Sequence, residues 1–288
     1  YPESRTLTPM KFTALPDYFQ AYTTENPDGI EAVNHQHLQF VTHGSWSELS
    51  ASIPQDTPNT KYKLLILARH GQGYHNAGVS RYGMARWDEY WSLLDGDEHG
   101  DWFDAKLTPL GQEQVQEIGS TILKPMCQEV GLPQIFYSSP MRRCLETFIE
   151  SWSQVFDQEN GEIPVHVVEN LRETLGEHTC DKRVDHHVSV DEYQGAKIAQ
   201  NKRLKLCYEE NYPEKDSLWE ADHRETDDEI DTRTAVALTR ILTEPYRYIS
   251  VTCHSGVIKS VLRNLQHPPV NNLDTGGVVA LVVKCDKL

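Results

Sequence analysis

Three short segments of the chain carry residue types suited to holding a tetrahedral anion. The first is Arg69-His70-Gly71, followed by Asn76. A histidine there can expose a ring nitrogen. The guanidinium beside it offers a fork that matches phosphate oxygens, and Gly71 and Gly73 let backbone approach a ligand closely. The second segment, Pro140-Met141-Arg142-Arg143, puts a basic pair at the start of a helical pattern, where partial positive charge adds to the attraction for an anion. The third is Cys253-His254-Ser255-Gly256, again a histidine between an apolar run and a helical pattern. Either histidine alone has a bland explanation, since most loop histidines are structural or solvated. Together, the segments can deliver two histidines and three arginines to one place.

They meet only if the secondary structure brings them together. Residues 62–68 (YKLLILA) form a continuous apolar run that predicts a strand buried on both faces. Shorter strands are predicted at 135–138, 165–168, 248–253 and 277–283. Thr108-Pro109 reads as an N-cap with proline in the first turn, followed by Val115, Ile118, Ile122 and Met126 at helical spacing. Ser139-Pro140 repeats that signal ahead of the stripe Met141, Leu145, Phe148, Trp152 and Val155. Further helices are expected at 232–242 and 255–265. The alternation predicts a three-layer α/β/α sandwich with a mainly parallel central sheet. In such sheets ligands gather at the carboxyl ends of the strands, which is where all three segments fall.

Residues 1–60 lack sustained periodicity, but Phe12, Tyr18, Phe19 and Tyr22 predict an arm packed on the body. Residues 61–288 read as a single domain with inserted lid or loop segments near 78–104 and 176–230. The first insertion is aromatic and acidic, with Trp87, Tyr90, Trp91 and Trp102. The second loses clear periodicity, and its acidic part, 209–231, reads as a solvated face.

Lys and Arg total 27 against 43 Asp and Glu, a formal net charge of −16. That field disfavours nucleic acid and anionic membranes as partners, although a local basic pocket could still hold a small anion. No apolar run approaches the ~20 residues of a membrane-spanning helix. The six cysteines are scattered without a CxxC pair, and there is no Asn-x-Ser/Thr sequon, which points to a reducing compartment. The expected location is the cytoplasm, with the nucleus also open. The first residues, Tyr1-Pro2-Glu3-Ser4, lack an apolar signal core and an initiator Met, so the expectation is that upstream residues have been removed.

From about residue 63 to 283 the chain resembles the histidine phosphatase superfamily, the phosphoglycerate-mutase-like clan. The signature R-H-G-x-x-x-x-N is Arg69 through Asn76, and L-T-x-x-G-x-x-Q is Leu107 through Gln114. The S-S-P-x-x-R segment is Ser138 through Arg143, L-x-E is Leu171-Arg172-Glu173, and the second histidine falls on His254. No one of these patterns is specific; five in this order are. Within the clan the chain is similar to fungal phosphomutase-like proteins. The resemblance implies a phosphohistidine on His70. Arg69, Arg143, His254 and the Asn76 amide would stabilise the transferring phosphoryl group, and Glu173 would be the proton donor, kept protonated beside a phosphate dianion. The acid-phosphatase branch pairs R-H-G-x-R-x-P with His-Asp. Here Gly73 and Ser255 stand at the diagnostic positions, which disfavours that branch.

A phosphatase and a phosphomutase use the same intermediate. The segments that clamp substrate in cofactor-dependent mutases are not recognisable, which favours hydrolysis. The expected substrate is a small phosphorylated metabolite such as a sugar or polyol phosphate. His75, Arg172, His178, Asp181 and Arg183 are candidates to bind it, each with surface charge as the competing explanation. Tyr90, Trp91 and Trp102 could wall the pocket, although aromatics more often pack a core or lid. No metal and no cofactor are expected: despite 13 histidines, no HExxH or H-x-x-x-H pairing stands near His70 or His254. A different class, a non-catalytic phosphate-binding scaffold, would require decay of the chemical residues. Oligomeric state is not legible.

Overall fold

A computed structural model of the chain describes residues 9–31, 35–156 and 160–288. Of the expected arm, residues 1–8 and 32–34 therefore lie outside the described residues. An eight-stranded sheet organises the rest. Its strands are β1 (Met10–Ala14), β2 (Thr60–Arg69), β3 (Ile135–Ser138), β4 (Gly161–Val167), β5 (Lys197–Ala199), β6 (Lys202–Tyr208), β7 (Tyr248–Cys253) and β8 (Val278–Lys287). Their spatial order is β1-β8-β2-β7-β3-β4-β6-β5. The run β2-β7-β3-β4-β6 is parallel, whereas β8 runs antiparallel to β2, β1 to β8 and β5 to β6.

The unbroken apolar run of β2 has a simple cause. Leu65 and Leu67 point into one core and Leu64 and Ile66 into the other, each no more than 3% exposed. One core is closed by the helices Asp227–Thr243 and Ser255–Asn264, through residues such as Leu238, Ile241, Val257 and Val261. The other is closed by Leu123, Met126, Leu145, Phe148 and Trp152, from the helical segments on the opposite face. This is the three-layer α/β/α sandwich. β1 and the aromatic residues Phe19, Phe40 and Trp46 bring the N-terminal part of the chain onto the sheet edge and the second core.

Two local expectations are corrected. The segment 176–230 is not wholly irregular: it supplies the helix His186–Tyr193 and the strands β5 and β6, and β6 extends the parallel sheet beside β4. Its apolar residues Leu204, Leu206 and Tyr208 alternate with Lys and Cys, a period-two signal that the surrounding acidic residues obscured. Nor does Ser139-Pro140 cap a helix. That helix is Arg142–Trp152, with Met141 in extended backbone at its N-cap, while the Ser139 hydroxyl lies 2.8 Å from His254 Nε2.

The loop after β2 is held by two helices, α1 (Pro109–Ile118) and α2 (Arg142–Trp152). Thr108 caps α1, its Oγ1 accepting from Gly111 N at 3.0 Å. Thr108 N donates to Gln72 O at 2.9 Å, and Gln72 N donates to Gln114 Oε1 at 3.0 Å. From α2, Thr147 Oγ1 accepts from Gly71 N at 3.0 Å. The L-T-x-x-G-x-x-Q pattern is thus a clamp on the loop. Its glycine is a matter of room: a Cβ on Gly111 would lie 2.1 Å from Gln72 O. Gly111→Ala must push the loop off the helix, and overpacking of this kind costs about 1–3 kcal/mol. The expected result is a lower midpoint of thermal unfolding. An unchanged midpoint would show that the contact yields freely.

Candidate active site

His70 stands where β2 ends, its backbone N–H bonded to Cys253 O of neighbouring β7 at 3.0 Å. The strand pairing carries His254 to the same level, and the two imidazole centroids lie 5.2 Å apart at 64°. The His70 ring is 2% exposed and that of His254 is fully buried. His70 Nδ1 lies 2.7 Å from Gly71 O. A carbonyl oxygen only accepts, so Nδ1 carries the proton and Nε2 keeps its lone pair. Burial pushes the His70 imidazole well below its ordinary value, reinforced by the guanidiniums of Arg143 and Arg69 and opposed by the Gly71 carbonyl. The ring is therefore neutral near pH 7. His254 is likewise held neutral by burial, Arg143 and His70. Its Nε2 is 2.8 Å from Ser139 Oγ and 3.4 Å from Cys144 Sγ.

Two guanidiniums flank the pair. Arg69 Nη1 donates to Leu273 O at 2.5 Å. Arg143, fully buried, donates to Cys180 O at 2.7 Å and to Asp181 Oδ1 at 2.9 Å. In both residues Nε is buried with no hydrogen-bond partner among the described residues. Buried donors without acceptors are costly and therefore rare in folded proteins, and two of them beside one imidazole suit an incoming anion. Asn76 adds a third donor: its Oδ1 accepts from Gly73 N at 2.9 Å, which leaves the amide Nδ2 for a ligand.

Glu173 reaches the site from the loop beyond β4. Its carboxylate accepts from Thr174 N at 3.0 Å, Gly256 N at 3.2 Å and Ser255 Oγ at 3.4 Å. It thus sits on the first turn of the helix Ser255–Asn264. Gly256 makes the approach possible, because a Cβ there would lie 2.1 Å from Glu173 Oε1. A cavity of about 360 Å³ opens here, lined by Arg69, His70, His75, Asn76, Glu173, His178 and Asp181, with Trp87, Met84, Arg224 and Lys259 among the remaining wall residues; Arg143 and His254, both fully buried, are not part of its wall.

Arg172 and Arg183 do not line this cavity, contrary to the expectation that they contact substrate. Arg172 spends both terminal nitrogens on Glu169, Asp216 and Asp181 O, and its buried Nε, without a partner among the described residues, lies away from the cavity wall. Arg183 is saturated by Glu169 and four backbone carbonyls. Both are structural struts with charges already spent on protein acceptors. The acidic stretch supplies part of that network: Asp216 has a side-chain exposure of 3% and Glu225, paired with Arg233, of 8%. It is therefore not simply a solvated face. Nor do Tyr90, Trp91 and Trp102 wall the cavity. Trp87 does, with Trp102 packed behind it at 5.1 Å and Trp91 stacked on Tyr82 at 4.0 Å. Sequence reasoning missed Arg224 and Lys259. Arg224 lies inside the acidic stretch, and its Nη1 donates to Asp181 Oδ2 at 2.9 Å, so Asp181 bridges it to Arg143. Lys259 was legible in principle, one helical turn beyond Ser255.

Among the described residues, His178, Cys180 and Asp181 bring metal-ligating atoms within 4.8 Å of one another, as do Asp185, His187 and Glu214. In the first group both Asp181 oxygens are held by arginines, and a third positive charge there would be repelled. The second is an exposed cluster in which His187 pairs with Glu214.

A family model described as histidine phosphatase superfamily (branch 1) matches residues 65–283. A Saccharomyces cerevisiae protein named probable phosphoglycerate mutase PMU1 is 55% identical over 285 residues, covering 96% of each chain. Probable phosphoglycerate mutase of Arthroderma benhamiae is 35% identical over 229 residues, 79% of this chain and 65% of that one. Phosphomutase-like protein 3 of Candida albicans is 27% identical over 280 residues, 96% of this chain and 81% of that one. The chain belongs to branch 1 of the histidine phosphatase superfamily and is an enzyme that acts on a small phosphate ester at a histidine-centred site.

Proposed function

We propose that the protein is a phosphatase that hydrolyses a small phosphate monoester through a phosphohistidine on His70. One observation carries this reading: the Nε2 lone pair of a neutral, buried imidazole, with the Nε donors of Arg69 and Arg143 beside it. Nε2 attacks phosphorus in line with the departing oxygen, and the P–O bond breaks as the P–N bond forms. Arg69, Arg143, His254 and Asn76 stabilise the charge on the equatorial oxygens. Glu173 protonates the leaving oxygen and then takes the proton of the water that cleaves the P–N bond. No step needs a metal or a cofactor. The substrate is a sugar, polyol or related metabolite phosphate, with His178 and Asp181 among the groups that contact its body.

In this reading residues 61–288 are the catalytic unit and 1–60 its arm. Six free cysteines support a reducing location, the cytoplasm with the nucleus also open, and no helix among the described residues is long and apolar enough to cross a membrane. The names of the relatives favour the second reading, a phosphomutase that returns the phosphoryl group from His70 to a second hydroxyl. The two share every step up to the phosphohistidine and differ in whether water or a hydroxyl accepts.

A panel of metabolite phosphates, assayed in EDTA for inorganic phosphate and for transfer between hydroxyls, separates them. Phosphate release that survives EDTA and vanishes in His70→Ala is the expected result. Transfer without release would support the mutase, and no turnover of any ester would support a scaffold. Glu173→Gln gives a second, leaving-group-dependent prediction. General acid catalysis is worth about 10²–10⁴-fold. Transfer to the enzyme should fall by that order for an alkyl phosphate but far less for 4-nitrophenyl phosphate, whose leaving group departs unprotonated. Equal losses on both would remove Glu173 from the role of acid.

A further inference from the structure

His75 lies five residues after the nucleophile, on the first turn of the helix Tyr74–Tyr82. Its ring folds back over the loop that carries His70, with centroids 5.4 Å apart at 50°. The fold-back depends on Gly73. A Cβ at that position would lie 2.6 Å from His75 Nδ1 and 2.7 Å from its Cε1. Gly73 has a φ of −91°, which any residue can adopt, so its missing side chain provides room and not backbone freedom.

The same contact sorts the two ring nitrogens. His75 Nδ1 is buried with no hydrogen-bond partner among the described residues. What faces it is the Cα–H of Gly73, a weak donor, so the lone pair belongs on Nδ1 and the proton on Nε2. The ring lines the cavity, and Nε2 lies farther from Gly73 than Nδ1 and Cε1 do. Burial, with Arg143, His70 and Arg69 acting the same way, holds this imidazole well below its ordinary value. Those neighbours are the groups that surround the phosphoryl site.

We propose that His75 is a further catalytic residue, its Nε2–H donating to a nonbridging oxygen of the phosphoryl group that His70 accepts. The inference rests on the phosphohistidine reading above. His75 adds a neutral donor to the two guanidiniums, aimed where charge accumulates during transfer. Gly73 is then part of the catalytic loop because it admits the ring.

Removing one such preorganised donor costs about 100-fold or more. For His75→Phe, which keeps a ring of similar shape, kcat/KM for 4-nitrophenyl phosphate should fall by about that factor. Affinity for orthovanadate, which mimics the five-coordinate transition state, should fall with it. His75→Gln, which restores an N–H near the Nε2 position, should recover most of both. If His75→Phe does not fold, Gly73→Ala takes its place: the added methyl displaces the ring, and the same joint loss is expected. A kcat/KM for the folded variant within about threefold of wild type would overturn the proposal, because that is under 1 kcal/mol of transition-state stabilisation. So would a loss of turnover that leaves vanadate affinity unchanged. In either case wild-type hydrolysis and its loss in His70→Ala would stand, so the two readings fail separately.

Discussion

The hydrogen bond from His70 Nδ1 to the carbonyl of Gly71 is the constraint on which the rest of the site depends. An imidazole can attack phosphorus only through an unprotonated nitrogen, and free histidine exchanges its proton between the two. The carbonyl removes that choice, while burial and two guanidiniums keep the ring from taking a second proton. Under the proposed phosphohistidine reading, the same guanidiniums that would hold the phosphoryl group keep His70 fit to act as a nucleophile. In the proposed mechanism Arg69 and Arg143 therefore serve both ends of the reaction, attracting the anion and keeping its acceptor neutral.

Holding that geometry is largely a matter of close backbone approaches. β2 and β7 run parallel in register, so Arg69 pairs with Cys253 and the histidines that follow emerge side by side. The loop after His70 is then pressed onto the helix Pro109–Ile118 through Gly111, and the Glu173 carboxylate onto the first turn of Ser255–Asn264 through Gly256. In each case a glycine lets backbone or a carboxylate come nearer than a side chain would permit. The clan patterns thus combine a few reacting groups with the glycines and the cap that fix their distances.

This division explains what could be read in advance. His70, Arg69, Asn76, Arg143, Glu173 and His254 sit at fixed offsets from strand ends, so pattern and periodicity together locate them. The two-faced core also follows from residues 64–68, where every position is apolar. Arg172 and Arg183 misled because a charged residue near a motif looks the same whether it faces substrate or a buried carboxylate. Their partners, Glu169 and Asp216, are up to 44 positions away or hidden in an acidic run. Arg224 was overlooked for the complementary reason: its role depends on Asp181, 43 positions earlier, which nothing local reveals. β6, next to the edge strand β5, was lost because its apolar residues only alternate with Lys and Cys and do not form the unbroken run of a central strand.

The most direct test of this account is to catch the intermediate. Glu173→Gln should slow attack of water on the phosphoenzyme more than its formation from 4-nitrophenyl phosphate. Mixing the two, quenching in alkali and locating the modification by peptide mass spectrometry should find one phosphoryl group on His70, stable in base and lost in acid. Turnover of the same ester with the phosphoryl group on another residue, or with the enzyme never labelled, would contradict a phosphohistidine at residue 70.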